Sequence, residues 1–299
     1  MLRYLKLWLG VVLLGAAPYL AASSLANTSV SRDNGLSNEE KQDLRFIVLA
    51  PHIVETMFDI GAGAQIIGTS EHADYPLAAK AIPRVGNYAR LQIEKILQLR
   101  PDFVIAWKTG NPSDDIARLK KYGINIVYSH PTRLEDVESE INMLGELTGR
   151  QTRASKLAKE YSARLSALRE RYQEAAPISV FYELWPRPLR TVAANAWPQQ
   201  QLTLCGARNP FVDAKEDYPQ VALEKVLEYQ PQIIIQALSA GVENPDSIQW
   251  QQWPKIPAVK HQQILQPNAD KVHRMTRRML DELTLLCEQI DTARRVYGL

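Results

Sequence analysis

Three histidines and four large aromatics are the residues of this chain best suited to engage a ligand. His52, His72 and His130 offer imidazoles, and a neutral imidazole is a good ligand for a transition metal. Tyr88, Trp107, Trp185 and Tyr218 offer flat faces that suit a broad, partly apolar molecule. Signatures of catalysis are missing, with no HExxH, GxSxG or P-loop in the sequence. Carboxylates are numerous, but no pair stands out for general acid–base work, so a periplasmic enzyme is the weaker reading. Cys205 and Cys287 are the two cysteines, and two cysteines cannot hold zinc alone. A bare metal site on His52, His72 and His130 with Asp or Glu also stands behind the aromatic pocket. These residues point to binding rather than turnover.

The elements that must position them alternate. Phe46 to Ala50 reads as an apolar strand stopped by Pro51, with His52 directly after it. Ile53 to Ile60 reads as a helix, Ile66 to Thr69 as a strand followed by His72, and Ile93 to Leu99 as a helix. Phe103 to Trp107 is a strand ending in the indole, Asp114 to Tyr122 a helix, and Ile124 to Tyr128 a strand. Strands alternating with helices predict an α/β lobe with a mainly parallel sheet. Thr152 to Gln173 has no Gly or Pro, and Leu157, Tyr161, Leu165 and Leu168 recur at helical spacing. At ~1.5 Å per residue it would span ~30 Å. A second alternation starts at Ile178, with strands near Thr191 and at Ile233–Ile235, and Trp185 follows its first strand. Ligands of open α/β sheets bind beyond the carboxyl ends of the strands, so the four aromatics are expected in a cleft between two lobes.

Composition bounds the rest. The chain has 299 residues, 45% hydrophobic and 23% charged, with 35 basic against 33 acidic side chains and a net charge of +2. The balance and its even interspersion argue against nucleic acid as a partner. Arg3 and Lys6 precede an apolar run from Leu7 to Ala17, and small residues close at Ser24-Leu25-Ala26, the layout of a secretory signal peptide. The run is short for a membrane span. The expected organisation is a signal peptide over 1–26, a disordered leader over 27–44, an N-terminal lobe over 45–150, a connecting helix over 151–175 and a C-terminal lobe over 176–299. In an exported chain an even cysteine pair is usually joined, so Cys205–Cys287 is expected as a staple within the second lobe.

An internal repeat ties the halves together. Tyr88–Ile105 lies over Tyr218–Ile235 without a gap, with identities at Tyr88/Tyr218, Glu94/Glu224, Lys95/Lys225, Leu97/Leu227, Pro101/Pro231 and Ile105/Ile235. The grammar of helix, proline and strand explains the apolar matches but not the shared Glu-Lys pair or the leading tyrosine. Duplicated lobes would carry Glu94 and Glu224 at equivalent places. One such Glu is explained by the helix dipole; two suggest docking points for a two-fold symmetric partner.

The pattern resembles the periplasmic cobalamin-binding proteins, the BtuF family, within a wider group that binds siderophores and haem. The resemblance spans roughly 45–290. It is carried by Ala50-Pro51, Gly61-Ala62-Gly63 with Ile66-Ile67-Gly68, Asp74-Tyr75-Pro76, Leu99-Arg100-Pro101-Asp102 with Val104-Ile105-Ala106-Trp107, Tyr218-Pro219-Gln220-Val221 and the cysteine pair. It agrees with two Rossmann-like α/β lobes joined by one long rigid helix, and that helix is expected to limit lobe movement so that closure on binding is small. It implies a transported corrinoid instead of a resident cofactor, and Tyr88, Trp107 and Tyr218 lining the corrin pocket. Asp270 and Arg274 fall where the family has a polar pair on the ligand, and Glu94 and Glu224 where carboxylates meet arginines of the importer's membrane subunits. A monomer in the periplasm is expected. His72 stands where the family has a tyrosine, and Tyr88 and Tyr218 where it has tryptophans. His72 is expected to hydrogen-bond a ligand amide, with contact to the cobalt as the alternative. Haem, with His52 and His72 as axial ligands, and a ferric siderophore are the rival ligands within the fold.

Overall fold

The apolar runs form strands where the sequence reading puts them. The computed structural model describes residues 35–239 and 247–299; the expected signal peptide lies outside the described residues. In the first lobe β1 (Phe46–Val48), β2 (Ile66–Thr69), β3 (Phe103–Trp107) and β4 (Asn125–Ser129) form a parallel sheet in the order β2-β1-β3-β4. Their near-continuous apolar sequences fit a parallel sheet covered on both faces. In the second lobe β5 (Ile178–Glu183) leads into a hairpin of β6 (Trp185–Pro186) and β7 (Leu189–Arg190). β8 (Ala207–Arg208), β9 (Ile233–Gln236) and β10 (Ile264–Leu265) complete a parallel sheet in the order β10-β9-β5-β8. With β5 matched to β1, β8-β5-β9-β10 repeats β2-β1-β3-β4.

The repeat extends to single hydrogen bonds. Helices Ile93–Leu99 and Leu223–Tyr229 each end on a left-handed residue, Arg100 and Gln230, both at φ 47°. A proline follows each, since the chain cannot continue the helix there. The next residue then grips the first strand of its lobe twice. Asp102 N donates to Arg45 O at 2.9 Å, and its carboxylate accepts from Arg45 N at 2.8 Å. Gln232 does the same to Ser179, at 3.0 Å and 3.0 Å.

Helix Gln151–Tyr172 joins the lobes, about 33 Å long at 1.5 Å per residue. Its buried stripe of Ala154, Ala158, Tyr161, Leu165, Leu168 and Tyr172 belongs to one apolar core that includes Phe46 and Val48 of the first sheet and Ile178 and Val180 of the second. The helix is thus packed along its length and is no free tether. Helix Met279–Val296 lies beside it, with Arg164 meeting Asp281 at 2.7 Å. The expected disulfide is present: Cys205 and Cys287 are joined with their Cα atoms 4.9 Å apart, both within the second lobe.

One expectation is corrected. The end of the leader is ordered, because Ser37 and Glu40 form a reciprocal capping box that starts helix Asn38–Gln42. That helix docks on the first lobe through Lys41 Nζ to Glu146 O at 3.2 Å and Gln65 Nε2 to Lys41 O at 2.8 Å. Short polar segments escape a composition argument when capping and docking satisfy their backbone.

The lobes are tied a second time by charge. Glu55, in helix Pro51–Asp59 of the first lobe, has a side chain only 2% exposed. It accepts from Arg274 Nη1 at 2.7 Å and from Arg278 Nε and Nη2 at 3.1 and 2.7 Å. Arg274 also donates to Asp74 at 3.0 Å, and the Arg278 guanidinium lies 3.7 Å from the Tyr75 ring centre. Burial pushes the Glu55 carboxyl up, with the hydrogen bond from Arg274 opposing it. Burial opposes charge on Arg274 as well, but the bonds and charges of Glu55 and Asp74 together override it and raise its pKa. Such a cluster adds little net stability, yet removing one partner strands buried charge at a cost of about 3–5 kcal/mol. Glu55→Ala is therefore expected to lose about 3 kcal/mol in denaturant unfolding, and an unchanged midpoint would show that the clamp is not formed in solution.

Candidate functional site

The strand ends converge on a crevice between the lobes. β3 delivers Trp107, β5 delivers Leu184 and Trp185 just past its end, and β9 delivers Ala237; all line one pocket of about 480 Å³ with Tyr218, Trp197, His273 and Met275. Trp107 comes from the first lobe and the other named residues come from the second. The repeat places Trp107 and Ala237 at matched positions. An indole in the first lobe thus corresponds to a methyl in the second, whose own tryptophans, Trp185 and Trp197, also line the pocket.

Several wall residues are held from behind. Trp107 N donates to Asn111 Oδ1 at 2.7 Å, and Asn111 Nδ2 donates to Leu49 O at 2.8 Å, so one amide ties the ends of β1 and β3. The edge of His52 meets the Trp107 ring, with centroids 5.3 Å apart. His52 Nε2 lies 3.3 Å from Ser129 Oγ. Burial first, and the Arg274 charge second, lower the His52 pKa to about 3, so this imidazole is neutral and apolar packing for the indole. Glu183 ends β5 by accepting from Trp250 Nε1 at 2.6 Å, Gln236 Nε2 at 2.8 Å and Ile248 N at 3.1 Å, which fixes the start of the Trp185 hairpin. Trp197 Nε1 donates to Val272 O at 3.2 Å.

Of the residues singled out from sequence, Trp107, Trp185 and Tyr218 meet in this pocket. Tyr88 does not line it; it is 78% exposed on its loop. His52 sits behind the indole, 4% exposed. His72 is exposed at φ 65° and offers its carbonyl to Arg274 Nη2 at 3.2 Å. Arg274 is engaged by Glu55 and Asp74, and Asp270 lies 3.6 Å from it while accepting from Ser239 Oγ at 3.2 Å. Arg274 is thus turned to joining the lobes in this structure, with Asp270 beside it in the second lobe. Glu94 and Glu224 are exposed in the first turns of their helices. Sequence reasoning missed Trp197, Met275 and His273; only their proximity to Asp270–Arg274 and to the helix start at Trp197 marks them. Among the described residues no cluster of three His, Cys, Asp or Glu could hold a metal.

The model of the family described as periplasmic binding protein matches residues 47–269. The chain belongs to that family. A vitamin B12-binding protein of Vibrio campbellii is 36% identical over 252 residues, 84% of this chain and 90% of the relative. A vitamin B12-binding protein of Yersinia pseudotuberculosis is 29% identical over 82% of this chain and 86% of its own length. The crystal structure of the periplasmic vitamin B12-binding protein BtuF of Vibrio cholerae superposes with a TM-score of 0.77 at 35% identity, covering 85% of this chain and 98% of that one. A haem-binding protein from Roseiflexus, at 22% identity and a TM-score of 0.75, shares the fold. The resemblance read from the residues and the two-lobed α/β fold are both borne out. The relatives of this periplasmic binding protein are named for binding vitamin B12.

One glycine of this periplasmic binding protein sets the position of the indole. A Cβ on Gly110 would lie 1.8 Å from Trp107 Cε3, so only glycine lets the ring fold over its own turn. Gly110→Ala is expected to cost about 1–3 kcal/mol through overpacking and to change the near-ultraviolet circular dichroism as Trp107 moves. An unaltered spectrum with unaltered stability would show that the ring is not packed there.

Proposed function

We propose that this protein captures cobalamin or a related corrinoid in the periplasm and delivers it to an ABC importer. The observation that carries the reading is the crevice whose wall takes Trp107 from one lobe and Trp185 and Tyr218 from the other. Aromatic faces on both sides suit a flat macrocycle, and Trp185, 57% exposed, suits the edge of a ligand that stands partly in solvent. The vitamin B12-binding relatives support the same ligand class. Haem is less well served, because His52 is packed behind Trp107 and offers no nitrogen to the pocket. The corrinoid is cargo, and no resident cofactor is needed. The protein acts as a monomer, exported by cleavage near Ala26, with an N-terminal lobe over 45–150 and a C-terminal lobe over 176–299 moving little against the packed helix.

Calorimetric titration with cyanocobalamin, haem and a ferric siderophore tests the ligand. One-to-one binding of cyanocobalamin is expected, weakened roughly thirtyfold in Trp107→Ala, equivalent to about 2 kcal/mol for a central aromatic anchor. Binding of haem in preference to cyanocobalamin would overturn the reading. In the same series, complexes of wild type and His72→Ala with a corrinoid lacking its own base should absorb identically if His72 hydrogen-bonds an amide; a shifted band would assign it to the cobalt.

Glu94 and Glu224 serve as paired docking points. Their side chains are exposed at matched positions, and neither forms part of the pocket. Reversing both charges, Glu94→Arg with Glu224→Arg, is expected to leave cyanocobalamin affinity unchanged and to abolish co-purification with the importer's membrane subunits. Retained co-purification would remove this role.

A further inference from the structure

His273 is the one imidazole on the pocket wall, and its chemistry is set by a residue 91 positions away. Its Nε2 lies 2.8 Å from the hydroxyl of Tyr182. Tyr182 is 1% exposed at the core of β5, and among the described residues His273 Nε2 is the hydroxyl's partner. A buried O–H that does not donate is costly, so the phenol gives its proton to the bond and Nε2 accepts. The His273 ring opens onto the cleft, yet protein surrounds its other sides. That loss of hydration lowers its pKa to about 4, with Asp270 opposing, and the ring is neutral near pH 7. A neutral imidazole that accepts at Nε2 carries its proton on Nδ1. Neither nitrogen then has a lone pair for a metal: one is bonded to Tyr182 and the other is protonated.

We propose that the Tyr182–His273 pair is a specificity device that presents an N–H donor to the pocket in place of a metal ligand. It favours a macrocycle bearing carbonyl oxygens on its rim, such as the carboxamides of a corrinoid, and refuses one held through its metal. The proposal rests on the corrinoid reading for its ligand but not for its tautomer. Nothing in the chain near His273 announces the pairing, since Tyr182 lies in a strand and the sequence between them covers most of the second lobe.

Three measurements decide it. Histidine 15N chemical shifts of the ligand-free protein read the tautomer directly, and the Nδ1–H form is expected for His273; the Nε2–H form would overturn the proposal. His273→Phe is expected to weaken cyanocobalamin about tenfold, the effect of one lost hydrogen bond; affinity within twofold of wild type would overturn the specificity role. Tyr182→Phe, which only removes a hydroxyl, is expected to let the proton move to Nε2, free the Nδ1 lone pair and give bound diaquocobinamide an imidazole-ligated absorption band that is absent in wild type and in Tyr182→Phe with His273→Phe. The same band in wild type, lost in His273→Phe, would show metal ligation and overturn the proposal. A protein with the Nδ1–H form that binds no cyanocobalamin would instead count against the corrinoid reading.

Discussion

The carboxylate of Glu55 is the constraint on which the cleft depends. It is buried at the seam of the lobes and receives three N–H groups from Arg274 and Arg278. Desolvation consumes most of what the attraction returns, so its contribution lies in geometry more than in stability. A carboxylate with two guanidiniums around it has few satisfactory positions, and each fixes how far the carboxyl ends of the two sheets stand apart. The packed stripe of helix Gln151–Tyr172 sets the same distance from the other side. Between these two ties the pocket wall has little freedom to open.

Duplication explains the scaffold, and its breaking explains the site. The lobes agree in strand order, in the left-handed ends of two seven-residue helices and in the paired grip of Asp102 and Gln232 on their first strands. They part company where a ligand would touch them. Trp107 corresponds to Ala237, and the pocket-lining Tyr218 to the exposed Tyr88. Among the described residues, the hairpin that carries Trp185 has no counterpart in the first lobe. A binding surface for an asymmetric molecule needs such inequality, whereas docking points for a two-fold partner need the matched carboxylates to stay.

Much of the fold was legible because its signals are local. Apolar runs stopped by Pro or Gly gave the strands, and a stripe at helical spacing gave the connecting helix. Trp107 and Trp185 were found because a strand end predicts a cleft position. The contacts that could not be read join residues far apart in the chain: Glu55 meets Arg274 across 219 positions, and Tyr182 meets His273 across 91. Spacing also put Asp270 and Arg274 together without revealing that the arginine would face the other lobe. His52 looked like a ligand because it follows a strand, but that place is buried once Trp107 folds over it. The short helix Asn38–Gln42 was hidden by its polar composition, although Ser37 and Glu40 spell its cap.

Cys287 lies on helix Met279–Val296, and that helix begins one residue after Arg278, an arm of the clamp on Glu55. The bond to Cys205 closes a stretch of 82 positions, which in a chain-entropy view restricts the unfolded chain far more than the native one. The bond therefore favours the folded second lobe as a whole, including the helix whose start carries that arm. A copy kept among reducing thiols would lose that stabilisation in the lobe from which the seam's arginines reach out.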